Sequence, residues 1–116
     1  MNFVDLEKVK VNSGGDQELL HELISMGLER IDASLIEMNI SIRDQDWDGL
    51  SRTIHKLRPI LCYAGIDAFT GELILLETNT KTKTELAEVP ARIGQIIENL
   101  RLARCELDSL LSELKK

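Results

Sequence analysis

His55 is the residue of this chain whose neighbours in the sequence best suit a reactive side chain. If residues 46–65 form a helix of about 100° per residue, His55 lies about 130° from the centre of the apolar stripe and faces solvent. Three cations, Arg52, Lys56 and Arg58, lie close to it on the same helix. An exposed imidazole among positive charges suits a histidine that a partner must reach and that must carry an anion.

The helical surface around His55 is predicted to be low in relief. Its neighbours on the helical wheel carry no long or charged side chains. They are Ser51, Pro59, Cys62 and Ile66. We interpret Cys62 as a small residue that fills a flat interface rather than as a redox-active thiol. The other histidine, His21, is interpreted as an ordinary solvated side chain.

Glu18 and His21 form a Glu-x-x-His pair, which raises the alternative of a metal site. Di-metal carboxylate centres in helical bundles use two such pairs. A second pair would need a glutamate three places before His55, where the chain has Arg52. Because the ligand set is incomplete, the sequence argues against a metalloenzyme.

Residues 46–65 are predicted to form the central helix that positions His55. Its apolar residues fall within roughly 100° of one another on the helical wheel. They are Trp47, Leu50, Ile54, Leu57, Leu61 and Ala64. Asp46 can cap the first turn, and Gly65 can end the helix as the residue after the C-cap. This pattern predicts one buried face and leaves the face that carries His55 exposed.

Three further amphipathic helices are predicted from the spacing of apolar residues, at positions 16–43, 67–78 and 88–115. Residues 1–12 are predicted to form a short helix or an extended lid, and the polar run 79–84 an exposed loop. Four amphipathic helices with short connections predict an all-α fold, an antiparallel up-down four-helix bundle.

Composition narrows the class of protein. The 116 residues suit a single domain with one core, and the aromatic share of 3% leaves the packing to Leu and Ile. A net charge of −6 argues against a general nucleic-acid-binding protein. Cys62 and Cys105 fit neither a C-x-x-C pair nor a disulfide framework, and no apolar run approaches about 18 residues. We therefore expect a monomeric cytoplasmic protein that binds neither nucleic acid nor membrane.

The sequence that follows His55 resembles the histidine-containing phosphotransfer (HPt) domain. That family has a histidine followed by an apolar residue two places on, a basic residue three on and a glycine ten on. Leu57, Arg58 and Gly65 match this pattern. The sequence departs from it at Pro59, where the family usually has a small residue, most often glycine, and Arg58 replaces the commoner lysine.

The resemblance extends over nearly the whole chain. Three further short matches occur in the expected order. They are Gly14-Gly15-Asp16 before the first bundle helix, Asp46-Trp47 at the start of the histidine helix, and Leu76-Glu77 on the third helix. No single match is specific, but their combination in the right order and spacing is.

The resemblance implies a phosphorelay intermediate. His55 Nε2 would attack the aspartyl phosphate of a response-regulator receiver domain, and the phosphoryl group would later pass to another receiver. Imidazole, with a pKa near ~6.5, offers a neutral nitrogen nucleophile without a separate base. The receiver would bring Mg²⁺, and a hybrid sensor histidine kinase would be a further partner. This chain would bind no cofactor and have no kinase activity of its own.

The remaining candidate residues are predicted to contact the phosphoryl group or the receiver. Lys56 and Arg58 would offset the phosphate charge, and an arginine can hold phosphate oxygens in a bidentate fork. The other predicted contacts are Arg52, Pro59, Cys62 and Gly65. One alternative stays open, in which the helical bundle binds partners independently of phosphorylation and His55 is incidental.

Pro59 generates a first prediction. Its missing N–H would have bonded the His55 carbonyl, four places back, and its ring crowds that carbonyl, so the helix should bend and push the imidazole outward. An interior proline ordinarily costs about 3 kcal/mol, so Pro59→Ala should raise the free energy of unfolding in urea. If the bend serves docking, the same variant should bind a receiver more weakly. Equal binding by the two chains would leave the proline without a functional role.

Overall fold

The protein is described by a computed structural model, in which residues 2–114 are defined. Its helical elements are α1 (Leu6–Asn12), α2 (Gln17–Asp44), α3 (Trp47–Tyr63), α4 (Thr70–Thr82), a 3-10 turn (Leu86–Glu88) and α5 (Val89–Leu114). Residues 2–114 contain no β-strand, so the predicted all-α class is confirmed. Over the same residues, every helix is too short or too polar to cross a membrane.

Helices α2, α3 and α4 run alternately up and down. A two-residue turn separates α2 from α3, which forces the two helices to run back along each other. Between α3 and α4, Asp48 pairs with Lys83 and Arg58 pairs with Glu77. Higher residue numbers in α3 therefore pair with lower residue numbers on the α4 side, which shows that the two helices are antiparallel.

Helix α5 completes the bundle by packing antiparallel to α2. Asp32 bonds Arg104, and five residues earlier in α2 Gly27 faces Leu107, later in α5. A Cβ added at Gly27 would lie 2.9 Å from Ala64 Cβ and 3.1 Å from Leu107 Cδ1. Glycine at this position therefore allows α2, α3 and α5 to approach closely. The predicted four-helix bundle is confirmed.

The apolar stripe predicted for α3 lies in the core. Its fully buried members are at most 2% exposed. They are Leu50, Ile54, Leu57, Leu61 and Ala64. Trp47 is half-buried and packs against the edge of this cluster. Because α3 packs against α2 on one side and α4 on the other, only its outer face, which carries His55, remains accessible.

Aspartate side chains cap the first turns of α2 and α3, and the cap of α3 at Asp46 is the one predicted above. Asp16 accepts a hydrogen bond from the Leu19 N–H at 3.1 Å, and Asp46 accepts one from the Gly49 N–H at 2.9 Å. Each carboxylate satisfies one backbone donor that the first turn of its helix leaves unpaired.

The third bundle helix differs most from prediction. It covers Thr70–Thr82 rather than 67–78, so most of the run 79–84 is helical and not an exposed loop. Thr80 is buried, and its hydroxyl donates to the Leu76 carbonyl at 2.8 Å. A threonine hydroxyl that donates to the carbonyl four places back keeps its hydrogen bond inside a helix. The polar composition of residues 79–84 therefore predicted a loop where most of the segment is helical. Asn79 is also buried, and its side-chain oxygen Oδ1 accepts a hydrogen bond from Nη1 of Arg92 at 3.2 Å.

The other helix limits differ from prediction by one or two residues. Predicted 16–43, 46–65 and 88–115 correspond to α2, α3 and α5, and residue 115 lies outside the described residues. The predicted lid at 1–12 contains the short helix α1, with Met1 likewise outside the described residues.

The end of α3 is a glycine-dependent turn that also anchors the N-terminal segment. Gly65 has a φ of +77°, its N–H donates to the Cys62 carbonyl at 3.1 Å, and the Ile66 N–H donates to the Leu61 carbonyl at 2.8 Å. This pair of bonds is a Schellman motif, as the prediction for Gly65 required. The Gly65 carbonyl in turn accepts the Asp5 N–H at 2.9 Å.

Gly65→Ala should lower the free energy of unfolding by about 2 kcal/mol or more, because it adds a steric clash to left-handed backbone strain. An added Cβ would lie 2.5 Å from the Asp5 carbonyl oxygen and 2.6 Å from Val9 Cγ2. Urea unfolding measures the change. The control is Gly94→Ala in α5, where an added Cβ meets nothing within 4 Å. That variant should gain about 0.5–1 kcal/mol. Equal stabilities for the two alanine variants would contradict this account of the turn.

Candidate functional site

His55 projects from the outer face of α3 with 74% of its side chain exposed. Its Nδ1 lies 3.1 Å from Oε2 of Glu77 on α4. An ionised carboxylate can only accept a hydrogen bond, so Nδ1 must carry the proton of this contact. In the neutral imidazole, Nε2 is then the unprotonated nitrogen with an available lone pair.

Glu77 is held between His55 and a cation. Its side chain is only 17% exposed, and its Oε1 accepts from Nη1 of Arg58 at 2.7 Å. Burial is the strongest influence on the pKa of Glu77 and raises it, but the hydrogen bonds from Arg58 and His55, together with the charges of these neighbours, outweigh burial and lower the pKa below its ordinary value. Glu77 therefore remains an anion that fixes both neighbouring side chains.

Arg58 lies in the site, but it faces α4 rather than open solvent. Its side chain is 33% exposed, and its Nε is enclosed without a hydrogen-bond partner among residues 2–114. The prediction had its guanidinium beside the phosphoryl group. The structure instead connects Arg58 to His55 through the Glu77 carboxylate, and direct phosphate contact stays a prediction.

Lys56 and Arg52 lie on the opposite side of the histidine helix, towards α2. The Lys56 ammonium is 3.8 Å from Oε2 of Glu37, which also accepts from the Thr53 hydroxyl at 3.1 Å. Arg52 is exposed and lines the same shallow depression as Lys56. The structure therefore divides the predicted ring of cations into Arg58 on one side of His55 and Lys56 with Arg52 on the other.

A shallow groove runs from His55 towards the end of α3. Its lining residues are His55, Arg58, Pro59, Cys62, Asp67 and Thr70. Pro59 and Cys62 thus lie on the histidine's surface, as predicted, and α3 continues unbroken through Pro59. Ile66 does not share that surface, because α3 ends at Tyr63 and the turn buries Ile66 in the core. Gly65 is also buried, so its part is in the turn and not in contact with a partner.

The sequence did not predict Asp67 and Thr70 as lining residues of the groove, nor Glu77 and Lys8 as residues that contact it. Glu77 was noted only as half of a Leu-Glu pair, and no spacing rule connects it to a histidine 22 residues away. Lys8 of α1 hydrogen-bonds Asp67, and its ammonium lies 3.6 Å from Cys62 Sγ. The hydrogen bond to Asp67 raises the pKa of Lys8 above its ordinary value. No periodicity within α1 indicates where that helix would lie.

His21 is not the fully solvated side chain that was expected. It is half-buried, and its Nε2 is enclosed without a hydrogen-bond partner among the described residues. It lies on α2 in a shallow depression with Glu18 and Glu22. Since the His55 groove has different lining residues, His21 is not part of that site.

Comparison with known proteins identifies the fold. No protein-family profile matches the chain, and no curated protein matches it. A solved structure does, that of the HPt domain from the Hpt sensor hybrid histidine kinase of Shewanella. The two chains superpose with a TM-score of 0.87 over 98% of this chain and 97% of the other, at 18% sequence identity. The chain therefore has the fold of an HPt domain.

Glu77→Gln should lower the free energy of unfolding at neutral pH by about 1–3 kcal/mol, because Arg58 loses a charged partner. The pKa of Glu77 is lower in the folded chain than its ordinary value. Its stabilising effect is thus present above the unfolded pKa and is lost as the pH falls through the folded pKa. The difference between wild type and Glu77→Gln in urea should therefore shrink below about pH 4.

The control for this prediction is Glu98→Gln, which removes a carboxylate from an exposed pair with Arg101. That variant should change the stability by less than about 1 kcal/mol. A difference for Glu77→Gln that stayed constant from neutral to acid pH would show that the Glu77 charge does not stabilise the fold.

Proposed function

We propose that this chain is a phosphocarrier of a two-component phosphorelay. His55 accepts a phosphoryl group from the aspartyl phosphate of one receiver domain and passes it to another. The observation that carries the proposal is the contact between His55 Nδ1 and Glu77, because it leaves Nε2 as the nucleophile on a highly exposed histidine. The HPt fold supports the same reading.

The chemistry needs no general base from this chain. The Nε2 lone pair attacks phosphorus in line, and a P–N bond forms as the P–O bond to the receiver's aspartate breaks. The electrons of that bond leave with the aspartate, which becomes a carboxylate. The imidazole becomes cationic while Nδ1 keeps its proton, and the Glu77 carboxylate at 3.1 Å offsets the new charge. Phosphoryl transfer depends mainly on such positioning and charge stabilisation.

The proposed transfer requires groups from two proteins. The receiver supplies the phosphorylated aspartate and the Mg²⁺ that neutralises its phosphoryl oxygens. This chain supplies the nucleophile and no metal, and the receiver, not a nucleotide, is the phosphoryl donor. A hybrid sensor histidine kinase would provide that receiver, and the transfer would take place in the cytoplasm.

His55→Gln should fold as wild type does, because the change lies on an exposed surface, yet it should take up no phosphate. The measurement is acid-labile label on this chain after incubation with phosphorylated receiver domains. The matched control is His21→Gln, which should be labelled like wild type because His21 lies outside the groove. Label on His55→Gln would refute the assignment. Receiver binding without any label on the wild type would favour the phosphorylation-independent module.

A further inference from the structure

Helix α1 contacts the His55 groove from outside, through the side chain of Lys8. Cys62 and Asp67 line that groove together with His55. The Lys8 side chain reaches both residues, through a hydrogen bond to Asp67 and an approach of 3.6 Å to Cys62 Sγ. Its side chain remains 30% exposed. A cation from a different helix thus contacts two residues of the groove that contains His55.

The position of α1 is fixed by bonds to the end of α3 and to α5. The Asp5 N–H donates to the Gly65 carbonyl at 2.9 Å, and the Asn12 amide donates to the Tyr63 carbonyl at 3.3 Å. Before α1, the Phe3 N–H donates to the Glu106 carboxylate at 2.8 Å. Lys8 is therefore presented by a backbone that is tied at both ends of the helix.

Lys8 can exchange its partner more easily than Arg58 can. Arg58 is bonded to Glu77, which is 17% exposed, and breaking that pair would leave a largely buried carboxylate without its cation. Asp67 is 53% exposed. Solvent-accessible pairs contribute little to stability, because water solvates both groups when they separate. A carboxylate on a docking partner can thus replace Asp67 at small cost.

We propose that Lys8 is a docking residue for the receiver domain and binds an acidic group at the rim of the receiver's phosphorylation site. This inference rests on the proposed phosphotransfer function and adds α1 to the surface that performs it. Charge complementarity supports this proposal, because this chain has a net charge of −6 and the receiver brings its own acidic residues around Mg²⁺. Where two acidic proteins meet, a cation on one of them lowers the repulsion between them, and Lys8 provides a cation in contact with two residues that line the His55 groove.

The test compares the two members of the Lys8–Asp67 pair. Lys8→Met keeps the apolar stem and removes the charge, whereas Asp67→Asn leaves the Lys8 charge without its internal partner. The probe is a receiver domain phosphorylated with acetyl phosphate, chosen from a panel because it labels wild type fastest. Single-turnover transfer at increasing receiver concentration gives the half-saturating concentration and the limiting rate.

Lys8→Met should raise the half-saturating receiver concentration about three- to fivefold with an unchanged limiting rate, and it should weaken the salt dependence of transfer. Asp67→Asn should lower the half-saturating concentration, because it frees the Lys8 ammonium for the receiver's acidic group. The matched control is Lys10→Met, which removes the same charge from the same helix at an exposed pair with Glu7. It should transfer as wild type does.

Three results would overturn the inference. Equal losses in Lys8→Met and Asp67→Asn, with lower unfolding midpoints in both, would make the pair a structural tie. Equal losses in Lys8→Met and Lys10→Met would reduce the effect to net charge. Unchanged transfer in Lys8→Met would remove it from the interface. These results leave the proposed function intact, because wild type is labelled in each. If no receiver labels wild type, the proposed function and this inference both fail.

Discussion

Burial of the apolar stripe on α3 is the constraint on which the rest of the structure depends. Each of its leucine and isoleucine side chains gains about 1.5–3 kcal/mol when it is fully buried. These residues recur at the helical repeat, so they fix the rotation of α3 about its own axis. A rotation of about 100°, one residue's step, in the sense that turns His55 inward would expose the stripe and bring His55 towards the core. The accessibility of the histidine is therefore a consequence of packing on the other side of the helix.

That constraint explains why the sequence predicts this part of the molecule well. Helical spacing within α3, the cap at Asp46 and the turn glycine at Gly65 are local signals, and the structure contains all three. The extent of α4 is a different matter. Thr80 and Asn79 satisfy their polar groups through the Leu76 carbonyl and Arg92, and composition alone cannot reveal such partners. From its sequence alone, a polar segment whose side chains are buried and hydrogen-bonded is therefore predicted to be a loop.

The site shows the same division between local and long-range information. The exposure of His55 follows from one helical wheel, but its contact with Glu77 depends on the register between α3 and α4. The contact between Lys8 and Cys62 spans 54 residues and depends on where the Gly65 turn receives the N-terminal segment. The helical wheel predicted which cations lie near His55 on its own helix. It could not say that Lys56 turns towards α2 while a cation from α1 reaches the groove.

The electrostatics of the site explain why Arg58 faces Glu77. A carboxylate beside the histidine sets which ring nitrogen is protonated, but its negative charge would oppose the phosphoryl group in the proposed transfer. Arg58 at 2.7 Å compensates the Glu77 charge and so permits the orienting contact without a net negative neighbour. In the proposed transfer the imidazole would become cationic, and the Glu77 carboxylate in contact with it would then offset this charge. Arg58, which the sequence predicted beside the phosphate, thus contacts the carboxylate that orients the histidine.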